Sequence, residues 1–307
     1  MKKEFEFLSA DGEHRVHAQE WIPEGEVKAV VQICHGMVEY IDRYDEFARY
    51  LNDRGYYVTG NDHLGHGKTA HDKADLGHFP EKHGNRYIQS DIHCLRKITE
   101  KKYPNVPYYM LGHSMGSFLL RQYLMSKAKG LAGAVIMGTG DQPGILAFTG
   151  QKLCRVIAAL KGWRHRSVLI DNMAFGGYNR KFKSGKTGKE WLSSDSKVPE
   201  KYVKDPFCSF RFTVGAYYQM FEGIKIAAGK KGAKAVPKHL PIFFVAGADD
   251  PVGAFGKGVK RVYERLSGKI PARGRGQTGK MEGVIQFKGQ RRSEAESCQR
   301  AESTGRK

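Results

Sequence analysis

Hydrophobic and polar positions along the first 140 residues alternate between two rhythms. Short apolar runs, A-V-V-Q-I-C (29 to 34), Y-Y-V-T-G-N-D (56 to 62), P-Y-Y-M-L-G (107 to 112) and L-A-G-A-V-I-M (131 to 137), read as buried strands. Between them, the pattern predicts helices over 45–54, 88–101 and about 117–127, the first of them closed by Gly55. An antiparallel hairpin is expected at the start, K-E-F-E-F-L-S and H-R-V-H-A-Q-E-W-I-P turning at Ala10, Asp11 and Gly12. Strand followed by helix, repeated, predicts an α/β fold: a mostly parallel, doubly wound sheet.

The rhythm breaks after Gly140. From 141 to 236 no clear buried strand occurs, but 146–160 and 210–228 are amphipathic helical stretches, which together suggest an inserted helical cap. The sheet resumes at L-P-I-F-F-V-A-G (240 to 247). The expected organisation is therefore core (1–140), helical cap (141–236), core again (237–266) and an atypical tail (267–307). That tail holds ten Lys or Arg against four Glu, and only V-I-Q-F (284 to 287) resembles a strand. It reads as disordered, and the last strand and helix of the pattern are expected to be lost.

Composition narrows the class. With 307 residues, 40% hydrophobic and 27% charged, the chain is long enough for one large core and has the make-up of a globular protein. A net charge of +19 raises nucleic acid or an anionic membrane as partners. The basic residues are dispersed, however, and no basic block carries interleaved aromatics. Nucleic acid is not expected; weak attraction to anionic membrane surfaces is, and it would suit an amphiphilic substrate. Five cysteines at wide, irregular spacing imply reduced thiols and neither a disulfide framework nor a zinc site. No apolar run approaches ~18 residues and the N-terminus has no signal-like segment, so a cytoplasmic location is expected.

Candidate chemistry begins at G-H-S-M-G (112 to 116), which follows an apolar strand and precedes an amphipathic helix. In that context the glycines permit a strand-to-helix turn tight enough to project the Ser114 hydroxyl, with a helix N-terminus behind it. H-G-M (35 to 37) follows another strand, where its loop can present a backbone N–H. Acyl transfer needs two such donors for the developing oxyanion, here the main-chain N–H groups of Met37 and Met115. At G-A-D-D-P-V-G (247 to 253), a carboxylate ends a strand on the same sheet edge as the serine. Asp250, biased toward extended backbone by Pro251, is favoured over Asp249. N-D-H-L-G-H-G-K-T (61 to 69) is read as a solvated turn without chemistry, and no metal or cofactor is implied.

These pieces together resemble the α/β-hydrolase superfamily, and within it bacterial monoacylglycerol lipase or lysophospholipase-like hydrolases. H-G-M-V-E-Y-I-D-R-Y, D-H-L-G-H-G, G-H-S-M-G and G-A-D-D-P-V-G carry the likeness over about residues 3 to 266, and W-L-S-S-D with the segment to Thr213 is similar to the caps of that group. The resemblance implies a carboxylic ester hydrolase with the order serine, acid, histidine: Ser114 as nucleophile and Asp250 as acid. Its substrate would be a monoacylglycerol or lysophospholipid, with Met173, Phe175, Phe210, Phe212, Met220 and Phe221 available to line an acyl tunnel or simply to fill a core.

The pattern then departs from the family. Its histidine should follow Asp250, yet the last histidine of this chain is His239. Either the chain is a pseudoenzyme that keeps a ligand pocket, or the residues from about Leu266 onward stem from a shifted reading frame. The abrupt change of composition at that point favours the second. His113 and His35 are poor substitutes, the one because neighbours in a tight turn point apart, the other because it belongs to the oxyanion loop.

Overall fold

A computed structural model describes residues 1–182, 185–268 and 285–287. The hairpin β1 (Lys2–Leu8) and β2 (Arg15–Trp21) precedes β3 (Ala29–Cys34), α1 (Asp45–Asn52), β4 (Tyr56–Asn61) and α2 (Gly84–Lys102). Then come β5 (Tyr108–His113), α3 (Met115–Lys127) and β6 (Gly133–Met137). The sheet order is β1-β2-β4-β3-β5-β6-β7-β8, with β1, β2 and β4 paired antiparallel and β4, β3, β5, β6, β7 and β8 paired parallel. The chain fills one side of β3 before crossing to β5, so a crevice opens at the C-terminal ends of those two strands, where α/β sheets place their ligands. β3 is buried along nearly its whole length, as a strand covered by helices on both faces must be.

Between β6 and β7 (Ile242–Gly247) the described residues form no strand but five α-helices: α4 (Gly144–Lys161), α5 (Val168–Phe175), α6 (Lys197–Lys204), α7 (Val214–Ala228) and α8 (Lys230–Ala235). α4 and α7 cover the two amphipathic stretches read from the sequence. α5 and α6 escaped notice for separate reasons: V-L-I-D-N-M-A-F is apolar nearly all round, and α6 is short and contains Pro199. Arg121 ties this segment to the sheet. Buried inside α3, its guanidinium donates to the carbonyls of Gly140 and Ala227, both at 2.9 Å, and burial with the nearby Arg265 pulls its pKa down to about 10.

α9 (Lys257–Ser267) buries Val259, Val262 and Leu266, and its Arg261 and Arg265 both pair with Asp141, at 2.9 and 2.7 Å. One expectation needs correction. The last strand is not wholly lost: β8 (Ile285–Phe287) pairs in parallel with Val245–Gly247 of β7. The remainder of the tail, with its expected disorder or shifted frame, lies outside the described residues.

The turn after β4 also differs from expectation. N-D-H-L-G-H-G-K-T is buried, not solvated. Asp62, 1% exposed, accepts from His17 Nδ1 at 2.8 Å and from the N–H groups of Ile41 and Lys68 at 2.8 and 2.9 Å. That carboxylate therefore joins the hairpin, the loop after β3 and its own turn. Beside it, His35, His63 and His66 cluster with ring centroids 4.1, 5.1 and 6.4 Å apart. Both ring nitrogens of His63 and Nε2 of His66 have no hydrogen-bond partner among the described residues.

Replacing Asp62 with Ala strands His17 and two backbone donors in the interior. We expect a loss of roughly 3 kcal/mol, read as a lower urea midpoint. The histidine cluster predicts a pH dependence. Burial, followed by mutual repulsion between the imidazoles, pushes His63 down to about 3, and burial pushes His66 down to about 4. In the unfolded chain both titrate near ~6.5. Their contribution is thus complete above that pH and is lost as pH falls toward the folded values. His17 is shifted the other way: burial lowers its pKa, but Asp62 and Glu4 outweigh this and raise it, so His17 favours the fold at low pH and opposes the trend in part. Urea midpoints should fall between pH 6.5 and 4, and less steeply in His63→Leu.

Candidate active site

The elbow at Ser114 is forced by contact distances. A Cβ on Gly116 would lie 1.9 Å from the Cys34 carbonyl oxygen, and one on Gly112 would lie 2.4 Å from the Gly116 oxygen. Only glycine lets α3 begin so close to the end of β3. Between them Ser114 adopts φ 51°, ψ −117°, a strained conformation for a residue with a side chain, and its N–H donates to Met137 O at 3.0 Å. The turn places Ser114 half-buried on the wall of a cavity of about 260 Å³.

Met37 and Met115 line the same cavity. Met115 is the first residue of α3, where helix N–H groups lack intrahelical acceptors. Neither its N–H nor that of Met37 has an acceptor among the described residues. The loop bearing Met37 passes close to the serine: a Cβ on Gly36 would come within 3.1 Å of Ser114 Cβ. The two free N–H groups thus belong to residues that share the cavity wall with Ser114, one in the β3 loop and one at the start of the helix.

Asp250 follows β7, and its Oδ1 accepts from the Val252 N–H at 2.9 Å. Burial raises its pKa, against the lowering effect of that bond and of His113. Asp249, by contrast, is exposed and ion-paired with Lys181. Asp250 Oδ2 and His113 Nε2 both border Gly138, where an added Cβ would meet them at 3.7 and 3.5 Å.

Three histidines lie around this centre, and one of them, His35, is fully engaged elsewhere. His35 donates through Nδ1 to Gly36 O at 2.8 Å and accepts at Nε2 from the His63 N–H at 3.0 Å, which leaves no lone pair for the serine. His63 belongs to the buried cluster behind it. His113 holds Glu39 Oε1 and the Tyr44 hydroxyl at its Nδ1, both at 2.9 Å. Burial disfavours its charged form, but Glu39, then Asp250, outweigh that and raise its pKa.

Glu39 was not singled out in the sequence. It is 6% exposed, and it accepts from the Gly36 N–H, from the Tyr44 hydroxyl at 2.9 Å and from Arg43 at 3.1 Å as well as facing His113. Burial alone would raise its pKa; His113 and Arg43 hold it well below the usual carboxylate range. The available signal was a carboxylate placed inside an otherwise apolar loop, H-G-M-V-E-Y.

The cavity itself is apolar, with Phe79, Ile88, Leu119, Leu146 and Ile224 among its lining, and no charged side chain lines it among the described residues. Met173, Phe175, Met220 and Phe221 line it as well. Phe210 and Phe212 do not; they pack on the His66 ring at 5.7 and 5.3 Å and close the histidine cluster.

The chain matches the family model described as serine aminopeptidase, S33, over residues 25–272. Mouse monoglyceride lipase is 33% identical over 109 residues, 36% of this chain and 34% of that protein. The match therefore spans about a third of that relative's length. A monoglyceride lipase homolog of monkeypox virus is 26% identical over 239 residues, 77% of this chain and 76% of that protein. Among solved structures, a thermostable carboxyl esterase from Bacillus coagulans in complex with glycerol superposes with a TM-score of 0.84 at 29% identity, covering 99% of this chain and 95% of that one. With the elbow, the sheet order and a family match running from ahead of β3 to the end of α9, the chain belongs to the serine aminopeptidase S33 family of α/β-hydrolases.

Proposed function

We propose that this chain carries the site of a carboxylic ester hydrolase for substrates with a single acyl chain, of the monoacylglycerol or lysophospholipid type. The observation that carries the reading is the cavity: Ser114 stands on the wall of an apolar space whose lining, among the described residues, includes no charged side chain. An aminopeptidase must compensate the ammonium of its substrate, and no carboxylate among the described residues lines this wall to do so. An acyl chain needs only apolar contact. The names of the mouse, viral and Bacillus coagulans relatives support the same choice.

In this mechanism the Ser114 hydroxyl attacks the ester carbonyl, and the N–H groups of Met37 and Met115 receive the oxyanion. Asp250 orients an imidazole that takes the serine proton. The chain has no histidine after Asp250; His35 has both ring nitrogens in other bonds, and His113 is held through Nδ1 by Glu39 and Tyr44. A serine without its base is a poor nucleophile, and removing that base costs on the order of 10⁶-fold in kcat. The second reading, a ligand-binding pseudoenzyme, keeps the same pocket without turnover.

The helices α4 to α8 serve as the cap over this pocket. α4 and α5 expose Ile145, Leu146, Phe148, Leu160, Leu169 and Met173, and α4 also carries Lys152, Arg155 and Lys161. Such a face favours weak attachment to an anionic membrane, where these substrates reside. No helix among the described residues is long and apolar enough to cross a bilayer. A cytoplasmic location accords with the free cysteines.

Turnover of p-nitrophenyl esters should be near background, and added imidazole should raise it in a manner abolished by Ser114→Ala and weakened several-fold by Asp250→Asn. Rapid Ser114-dependent turnover without imidazole would refute the missing base. Binding of a monoacylglycerol ether that never translates into imidazole-supported turnover would favour the pseudoenzyme. A second expectation concerns the gene: reading codons 260 to 307 in the other frames should reveal a histidine behind a strand-like run.

A further inference from the structure

The loop that carries Met37 is strained at one residue. Met37 and Val38 are the centre of the turn after β3, and Val38 has φ 56°. A turn of this kind normally places glycine or asparagine there, because a β-branched side chain crowds its own backbone in the left-handed region. Strain of this sort persists only where surrounding contacts over-determine it.

Two contacts do so. On one side, Glu39 accepts the Gly36 N–H and clamps the turn from within. On the other, Tyr202 of α6 donates its hydroxyl to the Val38 carbonyl at 2.9 Å, 164 residues away in the chain. Tyr202 is 9% exposed and held in place, with the Arg43 guanidinium 5.0 Å from its ring centroid, and Arg43 in turn bonds Glu39. Beyond α6, Asp205 accepts from the Tyr40 hydroxyl at 2.8 Å. The segment around α6 therefore grips the strained turn at Val38 and again just beyond it at Tyr40.

We infer that Tyr202 is a positioning residue: through the Val38 carbonyl it holds the left-handed turn that presents the Met37 N–H, so that the seating of α6 sets the oxyanion donor. This rests on the proposed role of Met37. When α6 is docked, the strained turn is held; when α6 lifts, Val38 is free to relax and the donor moves. One helix of the segment between β6 and β7, none of whose residues lines the cavity, thus bears on the charge-stabilising group without touching substrate.

The test is a double-mutant cycle of Tyr202→Phe, which keeps the ring, and Val38→Gly, which removes the conformational penalty. Amide exchange of residues 36–39 is measured by mass spectrometry on the intact chain. Imidazole-supported hydrolysis of a p-nitrophenyl ester gives kcat and KM. Tyr202→Phe alone should speed exchange by about three- to tenfold and lower kcat similarly with KM unchanged. In the Val38→Gly background, both effects should shrink by at least half. Unchanged exchange, or effects as large on glycine as on valine, would overturn the inference. Faster exchange that leaves kcat untouched would instead remove Met37 from the oxyanion role, so the two failures are separable, and the exchange measurement needs no turnover.

Discussion

At Gly116 the backbone of α3 passes so near the Cys34 and His35 carbonyls that no side chain fits, and every group of the site is placed relative to that contact. It brings the start of a helix against the end of β3, which brings Met115 beside the loop of Met37. It forces Ser114 into a backbone conformation that a free chain would avoid. The sheet provides the counterforce: Ser114 N–H is bonded to Met137 on β6, and Gly138 N–H to Val245 on β7, so three parallel strands hold the elbow from one side.

Around that elbow the polar groups form closed sets. Glu39 satisfies the oxyanion loop, Tyr44, Arg43 and His113; Asp62 satisfies the hairpin and two loops. Buried carboxylates with every lone pair used are compatible with a low-dielectric interior, whereas half-used ones are costly. The histidines show the same logic in reverse. His35 is saturated and so is unavailable to the serine, while His63 is kept neutral by burial and by His66, its ring nitrogens without a partner among the described residues.

Much of this was legible in the sequence because it depends on local rules. The strands 29–34, 56–62, 107–112 and 131–137 were visible as apolar runs, and G-H-S-M-G announced its turn through its own glycines. What escaped depended on distant partners. α6 has a proline and few apolar positions, so nothing local marks Tyr202 as the neighbour of Val38. The turn at 61–69 looked solvated because histidine and asparagine usually are; Phe210 and Phe212, almost 150 residues later, are what bury it. Glu39 looked like a surface charge inside an apolar loop, and its four donors come from both sides of the chain.

Arg121 sets a limit on how the segment above the pocket can hinge. Its guanidinium stays charged under all ordinary conditions, and one of its two short carbonyl contacts is the C-terminal end of α7. Pulling that end away would leave a buried cation short of an acceptor, so the rear of α7 behaves as a fixed pivot. The other acceptor, Gly140, lies just ahead of α4, so the same cation is a post to which both the near end of α4 and the far end of α7 are fastened, and α5 and α6 are the helices it does not reach.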